Sequence, residues 1–454
     1  MSRYMRFSFG QLAKMSLIIS ALCGVMLAQD AKAPAKPEPA NWFAPTSEIN
    51  HELPAWLRFT GEDRVRVEGF TGQGFKPNAT DIYTLNRFRF GTEIKPTDWL
   101  SFDGQTQDAR AFWKNQMPYG PPYQATWDLT AAYAKIGNLE RFHMQAMVGR
   151  QSLAFGDERV IGTAPWNNTP RTYDAVRTTF QVGRLTLDAL AATAVLQKDG
   201  YVGVHNLGSY IEGFYGKLDH VLPGGVIEPY FFYRRNPLQK LESGALAHEH
   251  QGITGARLAG KLPLGFDYNS EVILERGSIG VDSVSAWASH LSFGYLLPFQ
   301  RSHKWRALTE YNFASGDHNP KDGAHNTFDT IYASNHDKYG LSDQIGGKNI
   351  HHIRSGVEFQ PSKRLLASFR YSDYWLASSV DALYNTSGTV VARSATGSAG
   401  RWVGQELDWV GSFKATRISQ VGVGYAYLMP GTFLKMTTPG QTYTYPYLFY
   451  STRF

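Results

Sequence analysis

The chain has 454 residues, with 45 Lys and Arg against 39 Asp and Glu, a formal net charge of +6. Its single cysteine, Cys23, excludes a disulfide-stabilised fold, and beyond the first 28 residues no apolar run is long enough for a transmembrane helix. Aromatic residues make up 14% of the chain although the mean hydropathy is −0.33, a combination that suits a barrel wall facing lipid on one side and water on the other. Soluble β-propellers and lectins share this composition.

The N-terminal residues have the layout of a secretory signal peptide. Basic residues Arg3, Arg6 and Lys14 precede an apolar run at 15–27, and the small residue Ala28 follows it. We therefore expect residues 1–28 to be removed on export through the inner membrane of a Gram-negative cell. Residues 29–55 are rich in Ala, Pro and Lys, which predicts an extended periplasmic tether rather than a folded element.

From Trp56 to Phe454 the chain alternates apolar and polar residues with the period of two-faced β-strands. We count about 18 such segments. Examples of the apolar faces are Leu57/Phe59/Val65/Val67, Phe88/Phe90/Ile94, Leu129/Ala131/Tyr133, Val176/Thr178/Phe180, Val403/Leu407/Trp409 and Val421/Val423/Tyr425. The pattern predicts an all-β fold for residues 56–454, without a linker that would divide it into domains.

Short and long connections alternate between these strands. Tight turns are predicted at 96–98, 182–184, 262–265, 361–363 and 413–416, and long loops at 70–82, 113–124, 156–171, 315–346 and 377–400. An up-and-down transmembrane β-barrel has short periplasmic turns on one rim and long extracellular loops on the other. A propeller would repeat a four-stranded blade at a fixed period, and no such repeat is present.

The last segment resembles the closing strand of outer-membrane barrels. Leu448, Tyr450 and Thr452 share one face with the terminal Phe454. Such an end is similar to the signal that the barrel-assembly machinery recognises, so we expect that machinery as a partner through Phe454. An even strand number places both chain ends in the periplasm and the protein in the outer membrane, where lipid and lipopolysaccharide surround it.

If the apolar face contacts lipid, many arginines must face the lumen, because a cation facing hydrocarbon costs about 2–4 kcal/mol. The strand pattern directs to the lumen Arg58, Arg64, Arg66, Arg87, Arg89, Arg177, Arg257, Arg354 and Arg370. Such a ladder attracts anions, and the guanidinium fork suits carboxylate and phosphate groups. The alternative is structural pairing with acids of the same parity, Glu62, Glu68, Glu93, Asp128, Glu271, Glu358, Glu406 and Asp408. The first two strands carry five of the arginines against three of the glutamates.

Other chemistry has weak support in the sequence. The loop at 317–323 has Lys321 where a calcium loop needs an acid, and Phe328 where it needs the closing glutamate. The 13 histidines show no zinc spacing, and no nucleophile elbow is present. We therefore expect no metal, no cofactor, no catalytic residues and no nucleic-acid partner, and we predict that the protein is not an enzyme.

The motifs, in their order along the chain, resemble the alginate-export family of outer-membrane porins. They are NRFRFG at 86–91, QDAR at 107–110, GRQ at 149–151, FGDERVIG at 155–162, WNN at 166–168, YDAVR at 173–177, ASGD at 314–317, TFD at 327–329 and HDKYGLSDQ at 336–344. The resemblance implies a monomeric 18-stranded barrel with an arginine-lined, anion-selective passage for an acidic polysaccharide. The arginines that lie in matching motifs are Arg87, Arg89, Arg110, Arg150, Arg159 and Arg177.

One departure concerns gating. The family's founding alginate exporter carries a long periplasmic loop that gates its pore, whereas this chain has only a tight turn at 413–416. The resulting hypothesis is a passive channel for anionic solutes, an alginate-like acidic polysaccharide or its fragments. The alternatives are a general diffusion porin with a mild anion preference and a structural or adhesive barrel whose loops at 315–346 and 377–400 fill the lumen.

Overall fold

A computed structural model describes residues 45–116, 119–221, 224–298 and 304–454. The predicted signal peptide and most of the predicted tether lie outside the described residues. Eighteen antiparallel strands form one barrel, and we number them in chain order: β1 Leu57–Phe70, β2 Asp81–Thr97, β3 Leu100–Phe112, β4 Ala125–Asn138, β5 Met144–Gln151, β6 Tyr173–Val182, β7 Leu185–Ala194, β8 Tyr210–Asp219, β9 Gly225–Lys240, β10 Leu246–Lys261, β11 Phe266–Ile279, β12 Asp282–Leu296, β13 Lys304–Ala314, β14 Ile350–Ser362, β15 Leu365–Leu376, β16 Trp402–Lys414, β17 Ser419–Pro430 and β18 Tyr443–Arg453.

The first and last strands close the barrel. β1 pairs with β2 on one side and with β18 on the other, so that Val65 lies opposite Tyr450. Phe454 and Gly61 exchange two backbone hydrogen bonds, of 2.6 and 2.9 Å, just beyond this ladder. Closure pairs the edge strands that a large antiparallel sheet would otherwise expose. The prediction of an up-and-down barrel of about 18 strands is confirmed.

The connections follow the predicted alternation. The five predicted tight turns join strand ends on one rim, and the five predicted long loops join strand ends on the other. Two connections on the loop rim are short, 241–245 between β9 and β10 and 280–281 between β11 and β12. Helix α1 (Pro45–Glu52) lies at the turn rim, where the Asn50 side chain donates to the Phe59 carbonyl at 2.6 Å and accepts from its N–H at 2.7 Å.

The remaining elements are small. They are helix α2 (Leu139–Phe142) in the β4–β5 turn, helix α3 (Thr432–Thr437) in the β17–β18 loop, 3₁₀ turns at Gln73–Phe75 and Pro263–Gly265, a loop hairpin of Leu196–Lys198 with Tyr201–Val204, a second of Ala382–Tyr384 with Val390–Arg393, and Ala324–His325 parallel to β12. None of the described helices has the length and apolar character required to cross a bilayer.

Alternate residues of the strands face opposite sides of the wall. On β2, Phe88 and Phe90 are 44% and 40% exposed on the outer face, whereas Arg87 is 4% exposed on the inner face. The alternation of apolar and polar residues in the sequence dictates this arrangement. Contact with lipid is favourable in free energy for apolar side chains and unfavourable for cations.

Two bulges change the parity that the sequence predicted. Between β3 and β4 the register shifts at Gln105 and Thr106, so Tyr133 lies opposite Asp103 on the inner row and does not share the face of Leu129. Between β15 and β16 the register skips Val403, which is fully buried instead of facing lipid with Leu407. A bulge inserts one unpaired residue and inverts the alternation beyond it.

Three long loops fold into the barrel from the loop rim. These loops, at 152–172, 315–349 and 377–401, bury apolar side chains such as Phe155, Leu341 and Leu383 against the inner wall. Phe155, for example, stacks on Tyr215 of β8 with 4.9 Å between ring centroids. Burial of this apolar surface fills the extracellular part of the lumen with packed protein rather than water.

Candidate functional site

The inner faces of β1 and β2 present a group of arginines to the tip of the 152–172 loop. Four of the predicted passage residues, Arg64, Arg66, Arg87 and Arg89, lie on neighbouring inward positions of the two strands. Their alternation with outward residues such as Val65 and Phe88 is what places them on one face. They form one group of neighbouring basic side chains inside the barrel, with Glu62 and Glu68 on the same face.

Three consecutive carbonyl oxygens of the loop tip accept hydrogen bonds from these guanidinium groups. Arg64 donates to the carbonyls of Pro165, Trp166 and Asn167 at 3.0–3.1 Å. Arg66 donates to Trp166 O at 2.6 Å, and Arg87 donates to Pro165 O and Asn167 O at 3.3 and 3.0 Å.

Carboxylates neutralise only part of this group. Arg66 forms an ion pair with Glu68, and Arg87 forms one with Glu62. Among the described residues, Arg64 has no carboxylate at ion-pair distance, and its Nε is buried without a hydrogen-bond partner. Arg64 donates its hydrogen bonds to carbonyl oxygens, and Glu62 and Glu68 act on its charge from beyond ion-pair distance.

The Trp166 side chain links the loop tip to the arginines and to the 315–349 loop. The guanidinium carbon of Arg66 lies 3.9 Å from the Trp166 ring centroid, and the His336 ring stacks on it at 4.4 Å with parallel planes. The indole N–H donates to the Tyr445 hydroxyl at 3.3 Å. The two inward loops are thus in contact across one aromatic ring.

A second basic group lines a polar cavity of about 210 Å³. Its cationic side chains are Arg159, Arg306, Lys338, Arg354 and Arg370, and its carboxylates are Asp157, Glu310, Asp337 and Glu358. Five cations against four carboxylates leave a small excess of positive charge. A cavity of this size and polarity is large enough to hold several water molecules.

Ion pairs join the cavity wall to the inward loops. Arg370 of β15 donates to both carboxylate oxygens of Asp337 at 2.6 and 2.8 Å, and Arg354 of β14 donates to the Asp337 carbonyl at 2.6 Å. Burial alone would raise the pKa of Asp337, but the charges of Arg370 and then Arg354 outweigh it and hold that pKa below its ordinary value. Arg354 also binds Glu310 at 2.6 Å.

Arg89 and the remaining predicted passage residues on inward positions have partners other than the carbonyls of the loop tip. Arg58 lies near the turn rim and donates to the Pro54 carbonyl at 2.8 Å. Arg89 donates to Gln107 Oε1 at 2.9 Å. Arg177 binds Asp188 through two hydrogen bonds, and Arg257 pairs with Glu228. Arg159 faces the cavity from the 152–172 loop and not from a strand, donating to His290 Nδ1 at 2.8 Å.

Two predicted passage residues belong to the outer side of the wall, which corrects their assignment to the lumen. Arg110 shares its β3 face with Phe102 and Phe112, has a side chain 47% exposed and pairs with Asp108. Arg150 shares its β5 face with the exposed Val148 and pairs with Asp174 of β6. Both arginines were selected from motifs, and strand parity outweighs the motif at these positions.

Sequence reasoning missed several residues of the site. Arg306 lies on the inward parity of β13 with Glu310 and binds Asp267 at 2.6 Å, a pattern that alternation alone is sufficient to reveal. Lys338 and Trp166 lie on loops, where no periodicity indicates direction. Only the inward folding of the loops brings them to the passage.

The sequence profile of the alginate-export family matches residues 55–447. The chain belongs to the alginate-export family. No curated protein matches the chain. The match covers all of the barrel except the last strand residues, so family membership applies to the channel-forming part as a whole.

Solved outer-membrane porins have a similar fold. OccD3 (OpdP) of Pseudomonas aeruginosa superposes with a TM-score of 0.57 at 12% identity, covering 88% of this chain and 91% of that chain. OccAB2 of Acinetobacter baumannii gives 0.56 at 12% identity (87% and 98%), and OpdK of Pseudomonas aeruginosa, solved with vanillate, gives 0.56 at 11% identity (87% and 98%). At these identities the likeness concerns the fold alone.

The family and the fold together establish the general role. This alginate-export family member is an outer-membrane β-barrel channel, located in the cell outer membrane. Its family and its structural neighbours are channels and not enzymes, in agreement with the predicted absence of catalysis.

Proposed function

We propose that this channel passes anionic solutes passively, and that its main solutes are uronates and short acidic saccharides of the alginate type. The observation that carries the proposal is the polar cavity in which Arg159, Arg306, Arg354, Arg370 and Lys338 face one volume. Guanidinium groups bind carboxylates through paired hydrogen bonds, which ammonium groups do not reproduce.

The carboxylates that line the cavity allow an anionic solute to pass rather than blocking it. Asp337 forms an ion pair with the guanidinium group of Arg370, but Asp337 belongs to a loop rather than to the wall. A passing carboxylate exchanges with such an acid, so that each guanidinium keeps an anionic partner throughout the passage of the solute. Binding then remains weak enough for release, as conduction requires.

The packed loops favour short solutes over a wide polymer path. The 152–172, 315–349 and 377–401 loops fill the extracellular part of the lumen, so the passage is narrow there. The family name supports an acidic saccharide, and the vanillate of the OpdK structure is a small carboxylate held by a barrel of similar fold.

Paired solutes of equal size test the proposal. Proteoliposomes containing the protein are loaded with either glucuronate or glucose, which differ by one carboxylate, and efflux rates are compared. We expect faster efflux of glucuronate, and we expect Arg370→Gln to reduce this preference. Arg110→Gln, on the outer wall, is the matched control and should leave the preference unchanged. Equal efflux of the two sugars would contradict the proposal.

The near balance of five cations and four carboxylates favours a second candidate, a diffusion porin with little anion preference. In that case glucose and glucuronate leave at equal rates and Arg370→Gln has no effect. A barrel that the loops close permanently would release neither solute.

A further inference from the structure

We infer that the turn at 164–167 is a built-in substitute for the anionic substrate, occupying a carboxylate site formed by Arg64, Arg66 and Arg87 until an anion displaces it. The inference rests on the proposed function, because the displacing anion is the solute that the channel passes. It adds a binding site, formed by Arg64, Arg66 and Arg87, and a segment that moves, the 164–167 turn.

The pattern of hydrogen-bond donors and acceptors supports the idea that the turn takes the place of a carboxylate ligand. Three arginines converge on the carbonyls of Pro165 and Trp166 and on the neighbouring carbonyl of Asn167. Converging guanidinium forks with a shared oxygen acceptor are the arrangement that binds a carboxylate. The carbonyls supply the oxygens of such a ligand without its negative charge.

The charge balance makes the turn a weaker partner than an anion. The Arg64 guanidinium has no carboxylate partner among the described residues, and its buried Nε donor is unused. A carboxylate adds the Coulomb attraction of its negative charge to the hydrogen bonds that a neutral carbonyl also accepts from a guanidinium group. An incoming carboxylate therefore replaces charge–dipole contacts by charge–charge contacts and occupies the site in preference to the turn.

The turn is anchored at both ends, and between the anchors the bond from the Ala164 N–H to the Ser334 hydroxyl, at 2.7 Å, must also break when the turn moves. On one side, Phe155 and Ile161 pack in the buried core. On the other, the Asn168 side chain donates to the carbonyls of Asn86, Arg110 and Tyr123 at 2.9–3.3 Å. Between these anchors the chain turns tightly, with Ala164 at a φ of +49°.

Displacement also loosens the contact between the two inward loops at the turn. The Trp166 ring contacts both the Arg66 guanidinium and the His336 ring, so movement of the turn breaks its stacking with the 315–349 loop. The backbone bonds that join residues 158–162 to residues 332–334 remain. Occupation of the arginine site by a carboxylate is thereby coupled to a local opening beside Trp166. A ligand shifts such an equilibrium only because it binds one of the two states better.

Single-channel recording of the full-length protein tests the inference. With chloride as the only anion, the wild type should be mainly closed, and added sodium glucuronate should raise its open probability about tenfold or more, whereas glucose at equal concentration has no effect. Trp166→Ala removes both ring contacts and should be open without glucuronate. Trp409→Ala, on the outer face of β16, is the matched control and should behave as the wild type.

Hydrogen–deuterium exchange gives a second readout that does not require a variant to fold. Glucuronate should speed exchange in peptides covering 162–169 and leave β-strand peptides unchanged. An open probability and an exchange rate that are both independent of glucuronate overturn the inference. If the open channel nevertheless prefers anions, the proposed function stands; loss of that preference would overturn the proposed function itself.

Discussion

The 315–349 loop is fixed to the barrel wall by two acids of β16, and removing one of them should release it. Ser342 donates to Glu406 twice, from its N–H at 2.9 Å and from its hydroxyl at 2.6 Å. The Leu341 N–H approaches both carboxylate oxygens of Asp408 at 3.3 and 3.4 Å. All four side chains are buried.

The size of the effect follows from the number of bonds lost. Leaving a buried donor without its acceptor costs about 1–3 kcal/mol, so Glu406→Ala, which leaves the two Ser342 donors unsatisfied, should favour local opening of the loop by about 3 kcal/mol. That corresponds to roughly 100-fold faster exchange of the amides at 338–345. Ser342→Ala loses only the hydroxyl bond and should speed exchange about tenfold.

Hydrogen–deuterium exchange in detergent, followed by mass spectrometry of peptides, measures both variants. The matched control is Glu212→Ala on the outer side of β8. Its pairing with Arg235 at 3.2 Å joins two side chains that are 45% and 46% exposed, so its loss should have little effect. Unchanged exchange at 338–345 in Glu406→Ala would refute the role of this acid in holding the loop.

Three further predictions concern the charges of the wall. Arg87→Ser with Arg89→Ser should weaken anion preference, because two cations leave the inner face of one strand; unchanged reversal potentials would exclude these residues from the passage. Arg110→Ser should leave the reversal potential at its wild-type value, since this side chain faces outward; a clear shift would place it in the lumen. Because Arg370 and Arg354 lower the pKa of Asp337, the stabilisation from its ion pairs is fully present above the ordinary Asp value of about 3.9 and is lost only as pH falls through the lowered pKa. The ion pairs of Asp337 should therefore hold the loop equally at pH 7 and pH 5, as measured by hydrogen exchange at 336–338 corrected for the intrinsic rates, and a loop released within that interval would contradict the assignment.

The wall could be predicted from sequence because its signal is local. The alternation of apolar and polar residues, with Phe88 outside and Arg87 inside, can be recognised from neighbouring residues. Turns such as 182–184 end the strands where this alternation stops. The errors at Tyr133 and Val403 have one cause. A bulge adds a single residue that no composition marks, and every later residue of the strand changes face.

The inside of the barrel could not be predicted in the same way. The partners of Arg64 are carbonyls at Pro165 and Asn167, about a hundred positions away along the chain, and backbone atoms carry no signature in a sequence. The sequence identified long loops but not the direction in which they fold. Consequently it left open whether the arginines pair with acids, and the structure has most of them paired.

The proposed function requires that guanidinium groups on the inner wall face the path of permeating ions. The most direct test is the zero-current potential of the protein in a planar bilayer that separates two concentrations of potassium chloride. We expect a potential with the sign of chloride permeation, reduced by Arg64→Gln and unaffected by Arg110→Gln. A potential with the sign of potassium permeation, or one that Arg64→Gln leaves unaltered, would contradict it.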